Sequence, residues 1–163
     1  MWYRVAKLGM TDAQLDQECK RLVRMTPFFK NLFKHFGVDF KEAWRLKFVA
    51  LPLKGKLAEC RDDTIVLDEN YLSRHPLVQS MHLVAHELVH WLTKQKEQQN
   101  YFADPEEVDG FDWAIAYQIS QGIPWDQIEA TFLPLIRPHF NNDLDAKRFF
   151  VSRLKAARNL SKS

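Results

Sequence analysis

Apolar residues recur at helical spacing from Leu15 through Cys19, Leu22 and Val23 to Met25, just after Thr11-Asp12, a pair suited to a helix N-cap. Pro27 opens a second stretch of the same kind, with Phe28, Phe29, Leu32, Phe33 and Phe36 on one face and Gly37 to end it. Phenylalanines in such number at this spacing read as core. The period changes at Arg45. Leu46, Phe48 and Ala50 alternate with Lys47, Val49 and Leu51 as far as Pro52, which predicts a strand. Residues 55–60 and 64–68 read as two more strands, joined by the polar turn Arg61-Asp62-Asp63. From Pro76 the helical period returns and runs to about Lys96, residues 100–105 read as a loop, and a further helix fits residues 105–121 before Gly122. Pro124-Trp125 starts another, with Ile128, Phe132, Leu135 and Ile136 inside it. Asn141-Asn142-Asp143 caps a last, basic helix that reaches about Leu160. With no repeat, low-complexity tract or linker, residues 1–163 are expected to form one α+β domain. A short three-stranded sheet sits among helices, with a core at about residues 45–120 and helical N- and C-terminal extensions.

Composition agrees with a globular chain: 163 residues are 46% hydrophobic and 27% charged, enough apolar material for a sizeable core. No run nears the roughly 18 apolar residues of a membrane-spanning helix. Residues 1–7 lack the apolar stretch and small-residue cleavage site of a signal peptide. Cys19 and Cys60 supply no disulfide framework, so a reducing, cytoplasmic location is expected. The net charge of +2 conceals an asymmetry. Residues 1–56 carry 12 basic and 5 acidic side chains, residues 57–143 carry 5 and 15, and residues 144–163 carry 6 and 1. Basic ends around an acidic middle either neutralise it by packing beside it or offer a surface to an anionic partner.

The candidate chemistry lies in that acidic middle. His86-Glu87-Leu88-Val89-His90 is an HExxH string within an apolar surround of Leu83, Val84, Leu88, Val89 and Leu92. On a helix, residues four apart share a face, so His86 and His90 can direct their imidazoles at one ion, with Glu87 beside them to receive the proton of a water. His82 is also four residues from His86. It cannot share an ion with His90, however, because eight residues span about 12 Å of helix and zinc ligands lie about 2 Å from the metal. His82 is expected as a neighbour of the ligands or at the rim of the site.

A catalytic zinc takes three protein ligands and keeps one position for water. The third is not a histidine six residues after His90, where Lys96 stands, and Thr93 occupies the position a glycine would fill in that longer pattern. The next helix opens with the acids Glu106, Glu107, Asp109 and Asp112. At about 100° per residue, Phe111, Ala114, Ile115 and Gln118 fall within about 80° of Glu107, whereas Asp109 and Asp112 point to the opposite side. Glu107 therefore projects into the core, where an unpaired charge is costly and a metal removes that cost. Glu106 lies about 100° off the stripe and ranks second. The expected metal set is His86, His90 and Glu107, with Zn2+ as the ion that suits imidazole and carboxylate.

HExxH on one helix and a glutamate on the next resembles a gluzincin, and more narrowly the small ImmA/IrrE-type metallopeptidases. The lead-in Thr64-Ile65-Val66-Leu67-Asp68-Glu69-Asn70-Tyr71-Leu72 and the later Glu107-Val108-Asp109-Gly110-Phe111-Asp112 carry the likeness, over roughly residues 45–120. In that family a short sheet precedes the HExxH helix, and the segment after it reads Glu-Ala-Asn-x-Phe-Ala. Asp109 and Asp112 depart from it, Phe111 replaces the aspartate of thermolysin-like enzymes, and no helix-turn-helix module is evident in these residues. The resemblance implies a zincin-like domain and an intracellular zinc endopeptidase with Glu87 as general base. Its substrate would be a specific protein such as a repressor, and phages and mobile elements encode small proteins of this kind. An oxyanion donor is needed besides the metal, and Tyr117, Tyr101 and His139 are the candidates, with no choice among them at this point. Strand Thr64–Asp68 is expected to receive an extended peptide by edge pairing.

A second class of function competes: a metal-containing binding protein that acts through its basic termini on nucleic acid or an acidic protein. In the terminal helix Lys147, Arg148, Arg153, Lys155, Arg158 and Lys162 surround Phe149, Phe150, Val151 and Leu154. An amphipathic helix packed on the core gives the same pattern.

Overall fold

A computed structural model describes residues 9–93 and 105–162. Helix α1 (Asp12–Met25) begins at a capping box, in which the Thr11 hydroxyl accepts from the Gln14 N–H and the Gln14 side chain accepts from the Thr11 N–H. Pro27 at the first position of α2 (Pro27–His35) fixes the backbone torsion a helix needs where its missing N–H costs nothing. Gly37 follows in the left-handed region, at φ +68°, and turns the chain away. A 3₁₀ helix (Phe40–Arg45), which the alternating pattern does not announce, leads into β1 (Lys47–Leu51).

The sheet has β2 (Ala58–Arg61) and β3 (Thr64–Asp68) as an antiparallel hairpin whose turn places Asp62 at φ +50°. β2 starts three residues later than the pattern of residues 55–60 predicts. β3 also pairs parallel with β1, in the register Lys47↔Thr64 to Leu51↔Asp68, so the order is β1-β3-β2. This corrects the expected role of Thr64–Asp68. The strand is central, bonded on both sides, and has no edge to offer a peptide. Its four consecutive buried residues, Ile65 to Asp68, fit that position. The outer edge of β1 is engaged as well: Asp16 of α1 accepts a 2.8 Å hydrogen bond from the Phe48 N–H and pairs with Lys20 through its other oxygen.

Asp68 ends the sheet and caps the single turn α3 (Glu69–Leu72), accepting from the N–H of Leu53 and of Tyr71. Helix α4 (Leu77–Thr93) packs on β2 and β3 and is buried on every residue from Ser80 to His90. Helix α5 (Pro105–Ser120) lies between α4 and the terminal helix α7 (Asp143–Ser161), its two most extensive contacts. Helix α6 (Trp125–Ile136) and a 3₁₀ turn (Arg137–His139) connect them. The α+β class of the sequence pattern is therefore found, and the loop expected at residues 100–105 lies almost wholly outside the described residues. Among the described residues no helix is long and apolar enough to cross a membrane.

The two sides of α5 explain its composition. One side meets α4. The other meets α7 through buried Asp112, whose Oδ2 accepts a 2.9 Å hydrogen bond from Arg153 Nη1. Phe150, Leu154 and Ala157 bury the inner face of α7, and Arg153 points inward with them. The apolar residues of the basic helix thus serve the core, and one of its cations neutralises an acid of the middle segment.

Candidate metal centre

Helix α4 is apolar nearly all round because it is enclosed by the sheet on one side and α5 on another. Its histidines therefore sit where solvent cannot hydrate them. His86 and His90 are one turn apart, and their Nε2 atoms approach to 3.2 Å. Glu107, in the first turn of α5, aims its carboxylate at the same point: Oε2 lies 3.3 Å from His86 Nε2 and Oε1 lies 3.1 Å from His90 Nε2. Glu107 is 0% exposed, His90 2% and the adjacent Glu87 3%. His86, His90 and Glu107 form the group of three ligand-type side chains found together among the described residues, and it can hold a metal ion.

The spacing of the three is informative. A tetrahedral ion with bonds of about 2.0–2.1 Å holds neighbouring donor atoms about 3.3–3.4 Å apart, the length of a tetrahedron edge. The observed 3.1–3.3 Å falls close to that edge. Neither Glu107 oxygen accepts a hydrogen bond, although both are buried. Nitrogen and oxygen donors thus converge on a common point rather than satisfying one another, and the set fits a cation. Burial works against ionisation of Glu107, yet the neighbouring His86 and His90 hold its carboxyl down at about 2.

Gly110 makes the convergence possible. A Cβ there would stand 3.3 Å from His86 Cε1, Nδ1 and the His86 carbonyl oxygen, tighter than ordinary contact. A glycine inside a helix costs about 1 kcal/mol relative to alanine, so its place one turn after Glu107 has a steric reason. The sequence signal was present, as a glycine interrupting an apolar stripe on a ligand-bearing helix, but its role depends on how closely α5 approaches α4.

The remaining sequence candidates fare differently. His82 is no rim residue: it is buried, its Nδ1 lies 2.7 Å from the Gln79 carbonyl, and its ring stands edge-on to Phe132. Burial pulls its pKa down to about 4, so it packs as a neutral imidazole outside the ligand set. Tyr117 is ten residues beyond Glu107, about 15 Å along the helix. Its hydroxyl donates to the Val78 carbonyl at 2.9 Å, so it ties the far end of α5 to the start of α4 rather than facing the ligands. This corrects its candidate role as oxyanion donor. His139 is exposed in the 3₁₀ turn after α6. Tyr101 and the side chain of Glu106 lie outside the described residues.

No protein-family model matches the chain, and no curated protein or solved structure does. The functional reading therefore rests on the site.

Proposed function

We propose that the protein is a zinc-dependent endopeptidase of the gluzincin type, similar to the ImmA/IrrE-type enzymes and acting on a specific protein substrate. The observation that carries this reading is the buried His86–His90–Glu107 cluster with tetrahedral-edge spacing, on a helix that also carries Glu87. Three protein ligands leave one position of a tetrahedral ion for solvent or substrate, whereas purely structural zinc sites are closed by a fourth side chain.

A zinc ion held by these residues supplies Lewis-acid polarisation of a carbonyl and lowers the pKa of water toward neutrality. The protein's own residues carry the protons. As water oxygen adds to the scissile carbonyl carbon, Glu87 takes one of its protons, and as the carbon–nitrogen bond breaks Glu87 delivers that proton to the leaving nitrogen. Carboxylic acid and amine leave, and Glu87 ends as the carboxylate it began. His86, His90 and Glu107 remain fixed by α4 and α5, which lets the donors act without reorganising. With β3 internal and the Phe48 N–H of β1 engaged by Asp16, β2 is the strand whose outer edge would receive an extended substrate.

The test is elemental analysis of wild type, Glu87→Gln and Glu107→Ala, followed by incubation of the zinc-loaded proteins with a complex peptide mixture read by mass spectrometry. About one zinc per chain in the first two, and new peptide termini in wild type alone, is the expected result. Absence of bound zinc in wild type after zinc is supplied would sink the reading.

A further inference from the structure

A second site lies on elements that carry no ligand of the metal centre. Helices α1 and α2, the 3₁₀ helix and β1 enclose a pocket of about 280 Å³. Its wall is hydrocarbon from Val23, Phe40 and Phe48, and Trp44 stands at its mouth, 57% exposed. Four cations line it, Lys20, Arg24, Lys30 and Lys41, against one acid, Asp39. Asp39 is partly engaged, since its Oδ1 accepts from the backbone N–H of Lys41. Of the cations, Lys20 pairs with Asp16 at 2.9 Å, while Arg24, Lys30 and Lys41 have no ion pair among the described residues. The Arg24 guanidinium lies over the Trp44 ring at 5.3 Å, and a more open continuation flanked by Gln14, Gln17 and the Glu18–Arg21 ion pair runs beyond it.

We propose that this groove binds an acidic peptide segment of a partner protein, with one large apolar side chain seated between Val23, Phe40 and Phe48 and flanking carboxylates on Arg24, Lys30 and Lys41. Two features select this ligand. Charge complementarity requires an anion, because the lining carries four cations against one acid, and after the pairing of Lys20 with Asp16 an excess of two positive charges is left. The apolar wall requires that the part entering the pocket be hydrocarbon. A nucleobase would bring hydrogen-bonding edges into a pocket whose wall leaves them unsatisfied, at a cost in affinity. The continuation past Trp44 gives room for further residues of an extended chain, which a small amphiphile would not use. The basic N-terminal segment, +7 over residues 1–56, thereby acquires a specific use. The site is independent of whether the metal centre cleaves peptides.

The test is selection of random dodecapeptides displayed on phage against the full chain, zinc-loaded and carrying Glu87→Gln so that peptides survive. Enriched sequences are expected to place aspartate or glutamate on both sides of one leucine-, phenylalanine- or methionine-sized residue. A synthetic consensus peptide should lose at least tenfold in affinity in the Lys30→Glu/Lys41→Glu and Trp44→Ala variants. It should also weaken as salt rises from 50 to about 300 mM. All three substituted positions are exposed, and retained zinc content together with an unchanged circular dichroism spectrum verifies folding. Failure to enrich, enrichment without an acidic bias, or affinity unmoved by either variant overturns the proposal. Oligodeoxythymidylate binding with the same dependence on these residues overturns it too, and assigns the groove to single-stranded nucleic acid.

Discussion

Two buried acids five residues apart on α5 meet opposite fates. Glu107 faces α4, where two imidazoles hold its carboxyl down at about 2 against the effect of burial. Asp112 faces α7, where burial dominates and pushes its carboxyl up to about 7 although Arg153 donates to it. The difference is the number of partners. Glu107 has two imidazole nitrogens at 3.1–3.3 Å, one beside each oxygen, whereas Asp112 has a single guanidinium, beside Oδ2, and the like charge of Asp109 acting on it. A charged side chain in a low-dielectric interior is tolerated to the extent that opposite charge stands beside it. Acid therefore acts differently on the two. Glu107, with its folded value depressed, contributes stability that is full above about pH 4.5 and is lost as pH falls toward 2. Asp112, with its folded value raised, contributes stability that is full below about pH 3.8 and is lost as pH rises through about 7.

The largest effect is expected from breaking the first half of this contrast. Glu107→Ala removes the carboxylate on which both imidazoles converge, and bound zinc should fall from about one per chain to near none by elemental analysis. Glu87→Gln sharpens it, because in the proposed function this neighbouring carboxyl moves a proton and holds no ion. Zinc content should stay near one per chain while peptide hydrolysis drops about 10²–10⁴-fold. In the second half, Asp112→Asn substitutes a group that cannot ionise. The variant should gain on wild type by about 2–4 kcal/mol between pH 4 and 7, measured by urea unfolding in chelator at each pH. A stability difference that stays flat with pH would contradict the raised value. Arg153→Met leaves Asp112 without its cation and should cost about 1–3 kcal/mol at pH 7.5, between the values for exposed and buried pairs. Gly110→Ala is the mildest. Its methyl group displaces His86 by a few tenths of an ångström, so zinc affinity should fall about tenfold while the gain in helix propensity keeps the urea midpoint nearly unchanged.

The contrast also marks how far the sequence could be read. Helical phase placed Glu107 on the apolar stripe because burial of one face is a local property of spacing, and the structure brings it to His86 and His90. The same argument sent Asp112 to the opposite side correctly, but not to Arg153, because their partnership joins residues 41 apart. Helix limits followed from Thr11, Pro27 and Gly37, whose effects on the backbone are local. Strand order did not. Alternation identifies β1 as a strand and the polar turn at Arg61-Asp62-Asp63 sets off β2 and β3, yet nothing in these segments says that β2 lies outside β3 and not between β1 and β3. The edge-pairing expectation failed for that reason; against Tyr117 the ten residues that separate it from Glu107 on one helix already spoke, and the structure adds the Val78 carbonyl to which its hydroxyl donates. Gly110 went unread in the sequence, because its role depends on how closely α5 lies against His86.

The hydrogen bond from the Phe48 N–H to Asp16 has a bearing on how this molecule behaves in a crowd. A strand with unpaired backbone groups along its side is a template on which other chains assemble, and short sheets are especially exposed to this hazard. Here a carboxylate occupies one such donor, and α1 lies against the same strand. The sheet can therefore lengthen on one side only, past β2, where the Glu59–Arg61 ion pair and Lys56 put charge at the border. What reads locally as a single side chain capping a strand acts, for the population of molecules, as a guard against runaway association.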